Sequence, residues 1–225
     1  LLLKRAEYAK RQADFEKGLA ISARMETEKQ KQETENLNTL IKSLNEELDI
    51  KIIMQKISRY IFENYNIQYY GFYLVAKEKD KIEMVDAKLP ELLTREDFEA
   101  IRKLNIPLLN VIGAHALAFK SGRALYLPRI RKSGATAEEI FVLEKCNFNS
   151  FLVIPLILQN DPIGFLDLSN AGKMELSKED ITRLSILGEQ LAGIIYSSNL
   201  FKQVQEEKEK AIIAGKETEL ERSKS

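Results

Sequence analysis

The sequence predicts an α+β protein with a central antiparallel sheet and helices, flanked by long N- and C-terminal coiled-coil helices. All five prolines and most aromatic residues lie in the middle of the chain, whereas both ends are rich in Lys, Glu and Gln. Short β-branched and aromatic segments alternate with capped helices in that middle part. We therefore divide the chain into a helix over 1–66, a domain core over 67–177 and a closing helix over 178–225.

Composition and charge exclude several classes of protein. Lys plus Arg and Asp plus Glu both total 34, so the formal net charge is zero and a nucleic-acid-binding surface is not indicated. The single cysteine excludes an intramolecular disulfide framework and fits a reducing, cytoplasmic location. The single histidine excludes a metal site built from several histidines.

The ends of the chain carry no targeting signal. No apolar run reaches the roughly 18 residues of a membrane span, so no membrane contact is expected. Leu1–Arg5 includes no starting Met, and Glu221–Ser225 stops within a helical pattern. Both ends therefore suggest a piece of a longer protein.

The first zone is typical of a long helix that enters the domain. Up to about Asn36 it consists mostly of polar residues that favour helix. An apolar seam then follows at spacings of four, three and four residues, as in a coiled coil. Ile52 comes four residues later, which is a stutter that locally unwinds a supercoil. We expect the helix to continue through Tyr60 and to end near Asn64–Asn66. The seam residues are Leu37, Ile41, Leu44 and Leu48.

The middle zone is predicted to contain strands and short helices. Ile67–Ala76 and Ile82–Ala87 are expected to form a hairpin around a charged turn. Thr94 and Thr136 are expected helix caps, each followed three positions later by an acidic residue. The other predicted elements are a helix over Leu109–Lys120 ended by Gly122, a strand over Ala124–Leu127, a helix over Ala137–Lys145, and strands over Phe151–Leu158 and Ile163–Leu168 joined by the turn Gln159–Pro162.

Ser177 is predicted to cap the closing helix, with Asp180 three residues on. An apolar stripe at three and four spacing begins this helix and becomes polar toward Ile212. The helix is longer than a domain of this size needs. We expect it to pair with its copy in a parallel homodimer and to lead into a covalently linked C-terminal output domain. The stripe residues are Leu184, Leu187, Leu191, Ile194 and Phe201.

The second hairpin resembles the most characteristic hairpin of GAF domains. Phe151–Ile157 is an apolar strand that contains Pro-Leu, and Ile163–Asn170 begins with Ile-Gly and ends in Asn. Leu176–Asp180, continuing to Leu191-Ala192, is similar to the closing helix of the family. Gly122–Leu127 resembles its helix-end glycine and following strand. The resemblance covers roughly residues 48–198.

This resemblance implies a sensory module with a central antiparallel sheet, helices on one face and a small-ligand pocket on the other. Some GAF domains bind cyclic nucleotides and carry a signature of Asn, Lys, Phe and then Asp-Glu. Asn170, Lys173 and Asp180 match its parts, but Leu176 and Ile181 stand where Phe and Glu belong. A cyclic nucleotide is therefore a possible ligand, and no cofactor is assigned.

The tail resembles the linker that precedes class III adenylate/guanylate cyclase domains. It runs from Glu206–Lys210 through Glu221–Ser225. The resemblance implies the regulatory region of a bacterial nucleotide cyclase. A histidine kinase or a phosphodiesterase is an alternative output domain.

The candidate ligand site consists of aromatic side chains and a few polar groups. His115 could make a hydrogen bond to a ligand or be a structural histidine, and the aromatic residues could equally fill a core. Cys146 is expected to be a buried apolar residue. No catalytic residue or metal ligand is predicted. The candidate ligand-binding residues are Tyr70, Phe72, Phe98, His115, Phe148, Ser150, Phe151, Asp167, Asn170 and Lys173.

Together these features predict a regulatory fragment that binds a small ligand and relays a conformational signal through parallel coiled coils to its output domain. The fragment itself is not expected to be an enzyme. Sulfoxide reductases built on the GAF fold need a cluster of cysteines, and this chain has one. A ligand-free structural dimerisation module is the remaining alternative.

Overall fold

The computed structural model describes the backbone of residues 2–130 and 133–222 and the side chains of residues 10–130 and 133–213. The chain divides into two compact units, Leu1–Leu40 and Ile41–Ser225. Within the first unit the described backbone is helical, and nearly all of its described side chains are exposed. Salt bridges between residues one helical turn apart join Lys29 to Glu33 and Lys31 to Glu35 at 3.8 Å. Pairs at this spacing stabilise a helix whose side chains are exposed.

Six helices and six strands are found in the described part of the chain. In order they are α1 (Leu2–Asn45), α2 (Ile50–Tyr65), β1 (Tyr69–Val75), β2 (Lys81–Lys88), α3 (Arg95–Arg102), β3 (Asn105–Pro107), α4 (Ala114–Ser121), β4 (Leu125–Leu127), α5 (Ala137–Lys145), β5 (Ser150–Leu158), β6 (Asp161–Asn170) and α6 (Lys178–Arg222).

The entering helix is broken where the sequence predicted continuity. It ends at Asn45, and α2 starts after Asp49, whose carboxylate accepts a hydrogen bond from the Lys51 amide at 2.8 Å. The exposed carbonyl of Leu48 accepts a hydrogen bond from the Ser198 hydroxyl at 2.7 Å. The predicted stutter thus coincides with a helix break, because a capping carboxylate at Asp49 allows a new helix to begin.

The six strands form one antiparallel sheet in the order β3-β2-β1-β6-β5-β4. The predicted α+β class with a central antiparallel sheet and long terminal helices is confirmed. β5 and β6 pair along their whole length around Gln159 and Asn160, which both have positive φ as tight hairpin turns require. Pro162 lies inside β6 at a register shift, where a missing N–H is tolerated.

Two elements differ from the sequence prediction. β3 is a three-residue edge strand that pairs with β2 and was not predicted, because so short a segment has no periodicity of its own. α4 begins at Ala114 instead of Leu109, and Gly122 ends it in the predicted left-handed conformation.

The two faces of the sheet carry different helices. α6 packs on β5, where a Cβ added to Gly188 would lie 2.5 Å from Cγ2 of Ile154. α4 packs on β5 and β4 from the other face, beside a core that includes Phe151 and Val153. Neighbouring residues of a strand point to opposite faces, so β5 contacts α6 with one set of side chains and α4 with the other.

The predicted pairing stripe of α6 is largely used inside its own chain. Leu184, Leu187 and Leu191 have no exposed surface, and Ile194 is 7% exposed. These residues therefore have no surface left for a partner helix, because the sheet covers them. Only Phe201, beyond the sheet, is exposed. In this helix the three-and-four spacing therefore marks a face that is buried within the chain.

The seam predicted on the entering helix is also divided. Leu37 and Leu44 are buried, Ile41 is half-buried, and Leu48 is exposed at the helix break.

Within the described residues, no helix combines the length and apolar character that crossing a membrane requires.

Replacing Gly188 with Ala is expected to lower the free energy of unfolding by about 1–3 kcal/mol, because the new methyl group would overlap Ile154 in a packed interface. Ser197→Ala, on the exposed side of the same helix, is the control and should change the value by less than about 0.5 kcal/mol. Urea unfolding measures both. Equal values for the two variants would contradict the tight contact between α6 and β5.

Candidate functional site

A cavity of about 440 Å³ lies on the face of the sheet that carries α4 and α5. Its volume is within the range of small-molecule sites. Its walls are mostly apolar, and three ionisable side chains meet in it: His115 from α4, Glu139 from α5 and Asp167 from β6. The apolar lining includes Leu89, Ile106, Leu125, Leu127, Ile130, Val142, Leu143, Phe148 and Phe151.

The imidazole of His115 bridges two carboxylates. Its Nδ1 lies 2.8 Å from Oε1 of Glu139, and its Nε2 lies 2.8 Å from Oδ2 of Asp167. Both ring nitrogens thus face acceptors, which requires a doubly protonated ring if both carboxylates are ionised. All three side chains are at most 5% exposed.

Glu139 is positioned by the capping box that the sequence predicted. Thr136 Oγ1 accepts from the Glu139 amide at 3.1 Å, and Glu139 Oε2 accepts from the Thr136 amide at 2.9 Å. The other oxygen, Oε1, accepts from the backbone N–H of His115 at 3.0 Å as well as from its ring. A single carboxylate therefore caps α5 and the start of α4.

A glycine makes room for this arrangement. Gly113 precedes α4 as its N-cap residue and has no side chain to cap the helix. A Cβ there would lie 2.6 Å from Oε2 of Glu139. The close approach allows the carboxylate to serve the N-terminus of α4, which favours negative charge.

Charge interactions shift the pKa values in opposite directions. Burial by itself would lower the pKa of His115, but Asp167 and Glu139 outweigh it and raise that pKa from 6.5 to about 10. Burial would raise the pKa of Glu139, but its bonds to His115 outweigh burial and lower it. For Asp167 burial prevails over the attraction of His115, and the pKa is raised. The imidazolium is therefore the stable form of His115 at neutral pH.

Aromatic rings surround the imidazole on its apolar sides. Tyr73, Phe151 and Phe165 each present an edge-to-face contact, with ring centroids 5.5–5.8 Å from that of His115. Burial raises the pKa of the Tyr73 hydroxyl well above its usual value. The His115 side chain is 2% exposed, and hydrogen bonds in such buried surroundings are stronger than they would be in water.

The cluster leaves one buried acceptor without a donor. Oδ1 of Asp167 has no hydrogen-bond partner within the described ranges 2–130 and 133–222. Asp167 is 4% exposed and lines the cavity. An unsatisfied buried carboxylate oxygen is costly, so Oδ1 is the acceptor of this cluster that still has hydrogen-bonding capacity.

The structure brings five of the ten candidate ligand residues to the cavity. They are Tyr70, His115, Phe148, Phe151 and Asp167. The hydroxyl of Tyr70 is already engaged, since it donates to Oδ2 of Asp86 at 2.7 Å.

The other five candidates are not among the residues that line the cavity. Strand alternation places Phe72 on the opposite face from Tyr73, and Phe98 is half-buried on α3. The Ser150 hydroxyl donates to the Gly172 carbonyl at 2.8 Å. Asn170 and Lys173, which matched the start of the cyclic-nucleotide signature, have other partners: Asn170 accepts from the Gln68 amide and donates to the Asn66 carbonyl, and Lys173 pairs with Glu175 at 2.6 Å.

Sequence reasoning missed two central residues. Glu139 was assigned only to a helix cap, and Tyr73 only to a strand. The available sequence signal was the capping box itself. Its acidic residue has a second carboxylate oxygen, which can accept a hydrogen bond from another group. No sequence pattern showed that this partner is His115, which lies 24 positions away.

Among the described residues, neither a reactive thiol nor a metal-binding cluster lies in the cavity lining. Burial raises the pKa of the Cys146 thiol to about 12, and this residue is absent from the cavity lining. In the described part of the chain, no three His, Cys, Asp or Glu side chains are placed to hold a metal ion. Both nitrogens of His115 are engaged by carboxylates, so the ring is not available as a general base.

The imidazole of His115 is expected to titrate near pH 10, and nitrogen NMR can follow it without assignment because the chain has one histidine. The unfolded chain releases this proton near pH 6.5. The stabilisation that the network provides is therefore complete below about pH 6.5 and is lost as the pH rises through about 10.

His115→Gln is the matched variant for this titration, since it removes the titrating group from the network. Its free energy of unfolding should lack the decline between pH 6.5 and about 10 that the unchanged chain shows. In the unchanged chain, a titration midpoint of His115 near pH 6.5 in the folded state would contradict the charged bridge.

Comparison with known proteins places this fold in a family. Residues 49–195 match the model of the GAF domain. No curated protein matches the chain significantly. Three similar solved structures illustrate the fold, at identities too low to carry function across. The free methionine-R-sulfoxide reductase of Neisseria meningitidis, in complex with its substrate, is 19% identical with a TM-score of 0.58 over 76% of this chain and 93% of that one.

The GAF domain of a phosphoenolpyruvate-protein phosphotransferase from Coxiella burnetii is 13% identical with a TM-score of 0.61, covering 76% of this chain and 96% of that one. A GAF domain/HD domain protein from Geobacter sulfurreducens is 13% identical with a TM-score of 0.56, covering 71% and 98%. Because the family match spans well over half of the sequence, this chain belongs to the GAF domain family.

Proposed function

We propose that this GAF domain is a sensor that binds a small molecule in its cavity and relays binding through α6 to an output domain. GAF domains are ligand-binding regulatory domains found in diverse signalling proteins. The observation that carries the proposal is the buried, unsatisfied oxygen of Asp167 in the wall of an otherwise apolar cavity. Buried polar atoms are normally hydrogen-bonded, so a carboxylate oxygen without a protein donor in a cavity lining supports a ligand-binding role.

The sheet provides a route from the cavity to α6. Asp167 on β6 is paired with Val153 on β5, and the adjacent Ile154 touches α6 at Gly188. A ligand that shifts β6 would therefore act on a strand that α6 contacts directly. Such a signal requires that the ligand bind two arrangements of the domain with different affinity.

The proposed parallel homodimer needs a surface other than the buried leucines. The outer side of α6 provides one, where Ile186, Tyr196 and Leu200 are exposed and Gly193 is half-buried. Ile186, Gly193 and Leu200 are seven residues apart, and Tyr196 lies three after Gly193. This is the spacing of positions a and d in a heptad. A Cβ added to Gly193 would meet no atom within 4 Å, so the surface is open there.

We propose a nucleotide cyclase as the output domain. α6 continues to Arg222, far beyond the end of the sheet, and its tail resembles the linker of class III cyclases. A histidine kinase or a phosphodiesterase would use the same helix in the same way.

We propose a ligand other than a cyclic nucleotide. Asn170 and Lys173 are engaged outside the cavity lining, and a phosphate would meet the carboxylates of Asp167 and Glu139. Like charges at such a site oppose binding.

A single tryptophan can test whether the cavity admits a ligand, because the chain has none of its own. Phe148 lines the cavity, and Phe98 is not among its lining residues. 2-Naphthylmethanol should change the emission of the Phe148→Trp variant in a saturable way. The matched Phe98→Trp variant should show no saturable change.

Hydrogen exchange of the same protein tests the relay. Saturating the protein with 2-naphthylmethanol should alter the exchange of amides in α6 near Gly188 more than in α1.

In the tryptophan experiment, equal emission changes in the two variants, or no change in either, would favour a ligand-free structural module.

Sedimentation equilibrium tests the dimer surface. The chain is expected to dimerise at micromolar concentration, and Tyr196→Glu should weaken the dimer by about tenfold or more, because it places a charge in an apolar seam. Ser197→Glu adds the same charge one residue away and should have little effect. Equal weakening by both variants would contradict the heptad surface, and a monomeric chain would contradict the dimer.

A further inference from the structure

The hydrogen-bonding capacity of the buried cluster is unevenly used. Oε1 of Glu139 accepts from the backbone and the ring of His115, and its Oε2 accepts from the Thr136 amide. Asp167 receives one hydrogen bond, at Oδ2 from His115. The one unsatisfied carboxylate oxygen of this cluster, across the described ranges of the chain, is Oδ1 of Asp167.

The charges of the cluster are also unbalanced. When all three groups are ionised, the two carboxylates outnumber the single imidazolium, which leaves one excess negative charge in a buried site. Ionised groups in apolar surroundings are stable only when they are paired. A positive charge brought by a ligand would therefore improve both the hydrogen bonding and the charge balance of the site.

The other residues that line the cavity indicate the chemistry of the rest of the ligand. The cavity that Asp167 lines has apolar and aromatic walls, which include Leu127, Val142, Leu143, Phe148 and Phe151. Arg129 is the one Lys or Arg in the lining given by the described residues, and it is exposed. Among the residues that the structure describes, the cavity lining thus holds no buried Lys or Arg that could pair with an anionic group.

We infer, on the basis of the proposed ligand-binding function, that the cavity takes a small molecule with an apolar body and a cationic nitrogen that donates a hydrogen bond to Oδ1 of Asp167. Aromatic or branched aliphatic amines and amidines have this chemistry. Phosphates and carboxylates do not, since their charge would face Asp167 and Glu139.

Three probes of similar shape and different charge test this inference at pH 7. They are 2-naphthylmethylamine, 2-naphthylmethanol and 2-naphthoate. Calorimetry gives each dissociation constant for the whole chain, and the NMR signals of the single histidine report whether binding occurs beside Asp167. We expect the amine to bind at least about tenfold more tightly than the alcohol or the acid, as hydrogen bonds between charged groups are worth that much.

Asp167→Asn tests the assigned atom, and Asp161→Asn is its control. Both substitutions remove one negative charge from β6, but Asp161 is exposed and pairs with Lys79 at the sheet edge. The first variant should lose the preference for the amine by about tenfold or more, and the second should keep it. If Asp167→Asn does not fold, the comparison of probes on the unchanged chain decides.

The outcomes separate this inference from the proposed function. Preferential binding of the amine that depends on Asp167 supports both. Equal binding of the three probes, or a preference for the acid, overturns the cationic ligand while leaving ligand binding intact. Binding of none of the probes at millimolar concentration overturns ligand binding and the cationic ligand together.

Discussion

The cavity depends on the two hydrogen bonds of the His115 imidazole. These bonds, each 2.8 Å long, join α4 to α5 through Glu139 and to β6 through Asp167, and aromatic rings pack around the imidazole. A neutral histidine could donate from only one ring nitrogen and would lose its hydrogen bond to one of the two carboxylates. Two acidic partners therefore stabilise a buried charge that burial alone would remove, and the fold holds the cavity open around it.

The sheet separates this polar cluster from α6, yet a single strand packs toward both. β5 offers Phe151 and Val153 to the cavity side and Ile154 to α6. Gly188 allows α6 and β5 to lie in close contact. Because little free space separates them, a displacement of the strand would also displace the helix. Close packing of this kind transmits small shifts, because a packed interior does not deform continuously.

The sequence was informative where one local rule decides the structure. The alternating segments predicted the strands of both hairpins, and Thr136 with Glu139 predicted the cap of α5, because these patterns act over a few residues. Long-range relations were not predictable. The stripe at Leu184 and Leu187 fits a core-facing helix and a dimer seam equally well, since both use spacings of three and four. The meeting of His115 with Asp167, 52 positions apart, follows only from the sheet register.

Glu139 has a consequence for how the cavity can open. Its carboxylate begins two helices at once, since α4 has no capping side chain of its own at Gly113 and uses an oxygen from α5 instead. Moving α5 outward would uncap both helices and remove one of the two acceptors of His115 in the same step. The caps of α4 and α5 and one hydrogen bond of the His115 ring therefore depend on the same carboxylate, so they form or break together.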